Sequence, residues 1–178
     1  GLAFDRSGNL WMTQPDVREK IKILKSGGNW ISYPRIIDSP LAGDLISTSK
    51  GQIWIILPGG YGLFIIDDNG TPDIYTDDLT RRLTIIDSDN RIFGSAFALA
   101  EDLDGNIWVG TDQGPVIYHN PERLFDSDAR GNRIRVPRND GSGLADYMLG
   151  KETITSISVD GANRKWLGTS NSGAYLLS

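Results

Sequence analysis

The apolar residues of this chain come in short runs that alternate with polar residues, which is the pattern of half-buried β-strands. A clear example is Ser156-Ile157-Ser158-Val159, where every second side chain is apolar. Glycine, asparagine and aspartate separate the runs, and no segment keeps the period of an amphipathic helix. The pattern therefore predicts an all-β protein built from short antiparallel strands.

One short motif occurs four times in the same frame. It consists of Asp or Thr, then Gly or Asn three residues later, and Trp six residues later. Its members are Asp5, Gly8 and Trp11; Thr48, Gly51 and Trp54; Asp102, Gly105 and Trp108; and Asp160, Asn163 and Trp166. Four copies in one frame indicate a repeat protein, so the fold follows from the repeat.

Each copy has the chemistry of a tight turn between two strands. The Asp side chain opens such a turn by accepting backbone N–H groups two residues on. Gly or Asn suits a position with positive φ, and the Trp that follows supplies a large apolar area to bury. Gly62, Gly114 and Gly173 follow the last three Trp residues and predict the next turn. One repeat therefore contains three or four antiparallel strands.

The repeats predict a β-propeller of about four blades, at about residues 1–40, 41–93, 94–150 and 151–178, the last incomplete. The Trp residues recur roughly every 40–60 positions, close to the length of known blades. Because propellers close with four to eight blades, we expect a fragment of a larger ring. A β-sandwich is the alternative, but it gives no reason for four copies in one frame.

Strand positions in the first two repeats follow from the same pattern. In the first repeat we predict strands at Leu2–Asp5, Leu10–Thr13, Ile21–Lys25 and Trp30–Tyr33. In the second we predict strands at Leu45–Thr48, Gln52–Leu57, Gly62–Ile66 and Asp73–Tyr75. The less regular segment from Leu79 to Phe93 is interpreted as a link to the third repeat.

Composition narrows the function classes. The 178 residues include no Cys and carry a net charge of −5. The length suffices for a core without disulfides, and the acidic balance argues against nucleic acid as a partner. No apolar run approaches the ~18 residues of a membrane helix, so no membrane-spanning segment is predicted.

Little in the sequence points to catalysis. His119 is the only histidine, it has no nucleophile motif beside it, and one histidine without cysteine argues against a zinc site. Asp102 with Asp104, and Asp126 with Asp128, resemble calcium ligands, but turn chemistry explains both pairs. We therefore predict a protein that is not an enzyme, with no catalytic residue, no metal and no cofactor.

The insertion in the third repeat offers a candidate binding site. Arg123 to Arg138 contains five arginines against two aspartates. Arginine matches phosphate and carboxylate groups, and a tyrosine offers a flat face to a sugar or a partner. We predict ligand contacts from Arg133, Arg135, Arg138 and Tyr147. The alternative is a solvated strand with Ile134 and Val136 inward and Arg133 and Arg135 outward.

The repeat resembles a known family. Asp-x-x-Gly-Asn-(Ile/Leu)-Trp, followed by a further glycine, is similar to the two-component-regulator propeller repeat. That resemblance implies a periplasmic sensor region of a hybrid histidine kinase that detects polysaccharide breakdown products.

The last third of the chain resembles the PorZ-type proteins of the type IX secretion machinery. The segments that carry this resemblance are 116–121, 135–141, 143–147 and 154–169. It implies a non-enzymatic scaffold or binding module at the cell surface or in the periplasm. Its implied partners are lipopolysaccharide or another glycan, and other secretion-system proteins.

Two further possibilities remain open from the sequence. A propeller lyase or glycosidase fragment is the second alternative, and it would need catalytic groups beyond those seen here. Self-association through open propeller edges is also expected, because an open edge is a template for added strands.

Overall fold

A computed structural model describes residues 1–15, 17–34, 39–125 and 129–178. In these residues the chain forms 16 strands, all in antiparallel pairs, and a 3₁₀ helix at Pro121–Phe125. No helix in this part of the chain is long and apolar enough to cross a membrane. The predicted all-β class is confirmed.

The first two repeats each form a four-stranded sheet in chain order. The first sheet contains β1 (Leu2–Phe4), β2 (Leu10–Thr13), β3 (Ile21–Leu24) and β4 (Trp30–Ser32). The second contains β5 (Leu45–Ser47), β6 (Gln52–Leu57), β7 (Gly62–Asp67) and β8 (Leu79–Leu83). Seven of these strands lie within one residue of their predicted positions.

The third and fourth repeats each give a three-stranded sheet. The third contains β9 (Ala96–Glu101), β10 (Ile107–Thr111) and β11 (Gly114–Tyr118). A two-stranded hairpin of β12 (Arg135–Pro137) and β13 (Ala145–Tyr147) follows, and we call it the insertion hairpin. The fourth sheet contains β14 (Ile154–Val159), β15 (Lys165–Thr169) and β16 (Ala174–Leu177). We call the four large sheets blades 1 to 4.

The outer strand of blade 2 differs from its prediction. Asp73–Tyr75 is not a strand, since the N–H of Ile74 donates to the Thr71 carbonyl in a turn. The strand is β8 instead, in the segment interpreted as a link. It pairs with β7 from Asp67↔Leu79 to Leu63↔Leu83. Its sequence LTRRL buries only Leu83, because an outer strand is covered on few sides, so the apolar pattern could not reveal it.

The blades follow one another in chain order, with the first strands of neighbouring blades in contact. The innermost strand β1 contacts β5, the innermost strand of blade 2. In the same way β5 contacts β9, and β9 packs extensively on β14. This succession of antiparallel blades with neighbouring inner strands is a β-propeller arrangement.

Alternation along each strand divides the core into two layers. In blade 2, Ile53 and Ile55 belong to a cluster with Trp11 and Ile23 of blade 1. The intervening side chains Trp54 and Ile56 belong to the other cluster, with residues of blade 3 such as Val109. Because every second residue points to the opposite face of a strand, one strand fills two interfaces. This explains why β6 is buried along its whole length.

Candidate functional site

The repeated motif forms a hydrogen-bonded turn, which we call the Asp–Trp turn. In blade 3, Asp102 Oδ1 accepts the N–H groups of Asp104 and Asn106 at 3.0 and 2.9 Å. The indole Nε1 of Trp108 donates to Asp102 Oδ2 at 3.0 Å. Gly105 has φ of 80°, as the turn requires. The motif therefore fixes the Trp ring in place, and its role in this structure is architectural.

The same turn occurs in three of the four blades, with one variation. Trp11 donates to Asp5 at 2.9 Å, and Trp166 donates to Asp160 at 3.1 Å. Asn163 takes the positive-φ position in blade 4, with φ of 60°, which confirms the prediction for this substitution.

Blade 2 has Thr48 where the other blades have Asp. The Thr48 hydroxyl accepts the N–H of Gln52 at 3.0 Å. Gln52 Oε1 then accepts the Trp54 indole N–H at 3.1 Å. The threonine therefore keeps the turn but not the indole bond, and Gln52 supplies the missing acceptor.

The carboxylate pair considered for calcium is occupied by protein donors. Lys165 Nζ lies 3.2 Å from Asp102 Oδ2, and Asn163 Nδ2 donates to Asp104 at 2.8 Å. Burial raises the pKa of Asp102, but the hydrogen bonds from Asn106, Trp108 and Lys165 outweigh it and hold that pKa at about 2. Asp126 and Asp128 lie outside the described residues. Over the described ranges, no group of His, Cys, Asp and Glu could hold a metal ion.

His119 lies on the surface beside the Asp–Trp turn of blade 3. Its Nδ1 is 3.0 Å from the Asn106 side-chain oxygen. No Ser, Thr or carboxylate is hydrogen-bonded to the His119 ring in the described part of the chain, and a nucleophile–base pair requires such a contact. This histidine fits the interpretation of a turn residue.

A cavity of about 490 Å³ lies beside the insertion hairpin, between blades 3 and 4. We call it the insertion cavity. Its size falls in the range of small-molecule sites, about 300–1,000 Å³. The charged and aromatic side chains that line it are Arg91, Arg133, Arg138, Asp146, Tyr147, Lys151, Glu152 and Tyr175. Three of the four predicted ligand residues therefore line one cavity, and Arg135 lies beside it.

Arg133 is the buried member of this group. Its side chain is only 4% exposed. The guanidinium carbon lies 3.8 Å from the centre of the Tyr147 ring and 5.2 Å from that of Phe93. Nη2 donates to the Gln113 carbonyl at 2.7 Å, and Asp87 lies 3.9 Å from Nη1. Burial lowers the pKa of Arg133, and Asp87 partly offsets this.

The alternative interpretation, a regular solvated strand, holds for the exposed Arg135 but is wrong for Arg133 and Val136. Arg133 is buried where that pattern directs it outward, and Val136 is 48% exposed where the pattern directs it inward. The physical reason is that Asn132 bridges Ile117 of blade 3, so the chain enters the hairpin along an existing sheet. Phe93 and Tyr147 then enclose the Arg133 side chain between two rings.

The other two predicted arginines are bound to acidic residues. Arg135 Nη2 donates to Asp89 at 2.8 Å and to the Tyr147 hydroxyl at 3.1 Å. Tyr147 itself donates to Asp89. Arg138 makes two hydrogen bonds to Asp146, at 2.7 and 2.6 Å. This bond to Asp146 raises the pKa of Arg138. Each predicted arginine is therefore partnered within the chain.

The cavity residues that sequence reasoning missed include two cations and an aromatic side chain, Arg91, Lys151 and Tyr175. They come from the segment before blade 3, the turn before β14 and the strand β16. No local pattern connects these three positions, because they meet only when blades 3 and 4 pack together. The strained backbone of Leu149, with φ of 51°, also lines the cavity. Such a φ is unusual for a bulky residue, and such strain clusters at functional sites.

Comparison with solved structures supports the resemblance seen in the sequence. PorZ of Porphyromonas gingivalis, an essential bacterial surface component of the type-IX secretion system, matches the whole chain with a TM-score of 0.84 and 30% identity. The chain spans 25% of the PorZ chain. No protein-family model and no curated protein sequence matches this chain.

Two further kinds of solved structure share the fold. The extracellular domain of a putative hybrid two-component system of B. thetaiotaomicron matches 99% of the chain, with a TM-score of 0.61 and 16% identity, over 20% of its own length. Virginiamycin B lyase of Staphylococcus aureus matches 100% of the chain, with a TM-score of 0.60 and 16% identity, over 54% of its own length. The fold is thus a β-propeller fold, and the neighbours include surface and extracellular proteins.

Proposed function

We propose that this chain is a non-enzymatic binding and scaffolding part of a bacterial cell-surface propeller protein, an accessory component of type IX secretion. The observation that supports this most is the whole-chain likeness to PorZ at 30% identity. The extracellular two-component domains and the lyase and lactonase structures are 13–20% identical, so their likeness extends to the fold only. A sensor region of a hybrid histidine kinase is therefore the second candidate.

The proposed absence of catalysis rests on the chemistry of the described residues. His119 contacts a turn asparagine, and the carboxylates of the Asp–Trp turns accept backbone and indole N–H groups. Groups committed in this way are poorly placed to act as nucleophile or general base, which must reach the substrate.

The proposed contact site is the insertion cavity, and its proposed ligand is an anionic glycan. Four cationic side chains, two carboxylates and two tyrosines line a concave space, which suits a ligand with sugar rings and negative groups. A partner protein is the other outcome to test, but protein interfaces use flatter, larger areas than this cavity provides.

Deletion of the gene for the full-length protein tests the proposed function in the bacterium that makes it. The reporter is a secreted protein that carries a type IX sorting domain, and the matched control is the deletion strain with the gene restored. We expect the reporter to leave the cell surface and accumulate in the periplasm. Normal display of the reporter, together with loss of an oligosaccharide response, would favour the sensor instead.

Self-association is a second part of the proposal. Blade 1 exposes Leu2, Phe4 and Trp30 on the sheet face that does not pack on blade 2. Blade 4 exposes Trp166 and Leu176 on the sheet face that does not pack on blade 3. Exposed apolar patches of this kind mark interaction surfaces, and we propose that one face packs on the other in a second copy. Light scattering over a range of concentrations should detect assembly that Trp30→Asp and Leu176→Asp each weaken. A concentration-independent monomer would contradict it.

A further inference from the structure

We infer that Lys151 is the residue that contacts a carboxylate of the ligand in the insertion cavity, with the Tyr175 ring as the stacking surface. Arg133 and Arg135 act as positioning residues that hold Tyr147 and the insertion hairpin. This inference rests on the proposed function. It assigns the ligand contacts to Lys151 and Tyr175, whereas the sequence pattern predicted them from Arg133, Arg135, Arg138 and Tyr147.

Arg133 is held by the protein itself. Its guanidinium lies between the rings of Phe93 and Tyr147 and donates to the Gln113 carbonyl. The side chain is nine-tenths or more buried. A group enclosed on both faces presents little surface to a ligand, so Arg133 serves to fix the position of Tyr147.

Arg135 and Arg138 have their charges matched by carboxylates. Arg135 pairs with Asp89, which also accepts the Tyr147 hydroxyl. Arg138 pairs with Asp146 in a two-bond arrangement. A ligand carboxylate at Arg138 would have to displace Asp146, since both need the same edge of the guanidinium.

Lys151 differs from these three arginines in each of these respects, and the remaining cavity arginine, Arg91, donates to the Gln113 side-chain oxygen. It is exposed, it lines the cavity, and its ammonium makes no hydrogen bond or salt bridge to the residues that the structure describes. It lies in a turn that two backbone bonds close, from Gly150 to the Tyr147 carbonyl and from Glu152 to the Leu149 carbonyl. The turn thus places at the cavity a cation whose ammonium bonds to no described residue, although its charge helps to lower the pKa of the nearby Asp146 carboxyl.

Tyr175 is the second side chain that we assign to ligand contact, and it offers an aromatic face beside Lys151. It is 38% exposed and lines the cavity together with Lys151. An aromatic face beside a cation suits a sugar ring that carries a carboxylate. A uronic-acid saccharide therefore fits the chemistry of the cavity.

Calorimetry with a matched pair of probes tests this assignment. The probes are trigalacturonic acid and its fully methyl-esterified form, which share the same sugar chain but differ in charge and in the ester methyl groups. The measured quantity is the ratio of the two affinities, the acid preference. We expect Lys151→Gln to lower the acid preference about tenfold, corresponding to about 1.4 kcal/mol. Lys151→Arg should restore most of it, and Lys50→Gln, an exposed lysine of blade 2, should leave it unchanged.

The positioning role of Arg135 is tested by the affinities of its variant for the same two probes. Arg135→Gln should weaken binding of the acid and of the ester by the same factor, because it disturbs Tyr147 without removing the contacting charge. The acid preference therefore stays. If Lys151→Gln keeps the acid preference and Arg135→Gln removes it, the inference is wrong while the proposed site stands. If the wild-type protein binds neither probe, the proposed glycan site is itself wrong.

Discussion

Blades 3 and 4 contain the same Asp–Trp turn in two different environments. The indole bond is 3.0 Å in blade 3 and 3.1 Å in blade 4. Trp108 is nevertheless 6% exposed and Trp166 is 44% exposed. The difference shows that the sequence of one repeat is enough to form the turn, whereas the next blade provides the burial.

Specific contacts from blade 4 complete the environment of blade 3. Lys165 lies 3.2 Å from Asp102, and its ammonium is 5.4 Å from the centre of the Trp108 ring. In blade 4 itself, the Asp160 carboxylate pairs with Arg164 of its own turn at 2.7 Å. An adjacent blade therefore adds charge and packing that a single repeat lacks.

Removal of the two Trp rings should give the largest difference between these blades. Trp108→Ala should lower the free energy of unfolding by about 3–5 kcal/mol, as for other buried aromatic residues. Trp166→Ala should lower it by less than half as much, because much of its ring already contacts water. Urea unfolding monitored by circular dichroism measures both. Equal losses would mean that the indole bond, rather than burial, determines the contribution of each Trp.

The two aspartates should differ in the pH dependence of stability. The pKa of Asp102 is held at about 2, below its ordinary value of 3.8. The ionised carboxylate therefore stabilises the fold above about pH 4 by about 2 kcal/mol, and this contribution is lost as the pH falls toward 2. Asp102→Asn should remove most of this dependence between pH 5 and pH 2.

Asp160→Asn is the matched control for this pH effect. The Trp166 hydrogen bond is the main reason that the pKa of Asp160 is also lowered. Because this carboxylate is open to solvent, its replacement should change stability less than Asp102→Asn at every pH. Urea midpoints measured across the pH range compare the two variants. If Asp160→Asn changed stability more than Asp102→Asn, the contacts from blade 4 would not stabilise the ionised Asp102 carboxylate.

Gly110 and Gly168 occupy the same position in blades 3 and 4, two residues after the motif Trp. Their replacement should give a smaller difference in stability between the blades. A methyl group on Gly110 would lie 2.8 Å from the Ile154 carbonyl oxygen of the adjacent blade. Gly110→Ala should therefore cost about 1–3 kcal/mol through overpacking. A methyl group on Gly168 would meet the Ser156 hydroxyl, which can rotate away, so Gly168→Ala should cost less. Thermal unfolding midpoints of the two variants test this, and an equal shift would contradict it.

Much of the fold was predictable because the information is local. The turn needs only Asp, Gly and Trp at fixed spacing, and the strands beside it alternate in the expected way. The strand β8 was misplaced because its LTRRL sequence buries a single leucine. An outer strand is defined by its hydrogen bonds to β7, which no apolar period records.

The candidate site was predictable only in part. Clustered arginines directed the prediction to the insertion, where Arg133, Arg138 and Tyr147 line one cavity; their contact with a ligand stays a prediction. The sequence could not indicate that Asp89 and Asp146 bind two of these arginines. Nor could it associate Lys151 and Tyr175 with them, since that contact depends on how blade 4 packs beside blade 3.

The repeats build the scaffold, and the insertion cavity is the proposed ligand site. The most direct test is an NMR titration of the ¹⁵N-labelled protein with trigalacturonic acid. We predict shifts confined to the amide groups of residues 146–152 and Tyr175, with the amides of the Asp–Trp turns unchanged. Shifts concentrated at the inner strands β1, β5 and β9, or no shifts at all, would contradict the account.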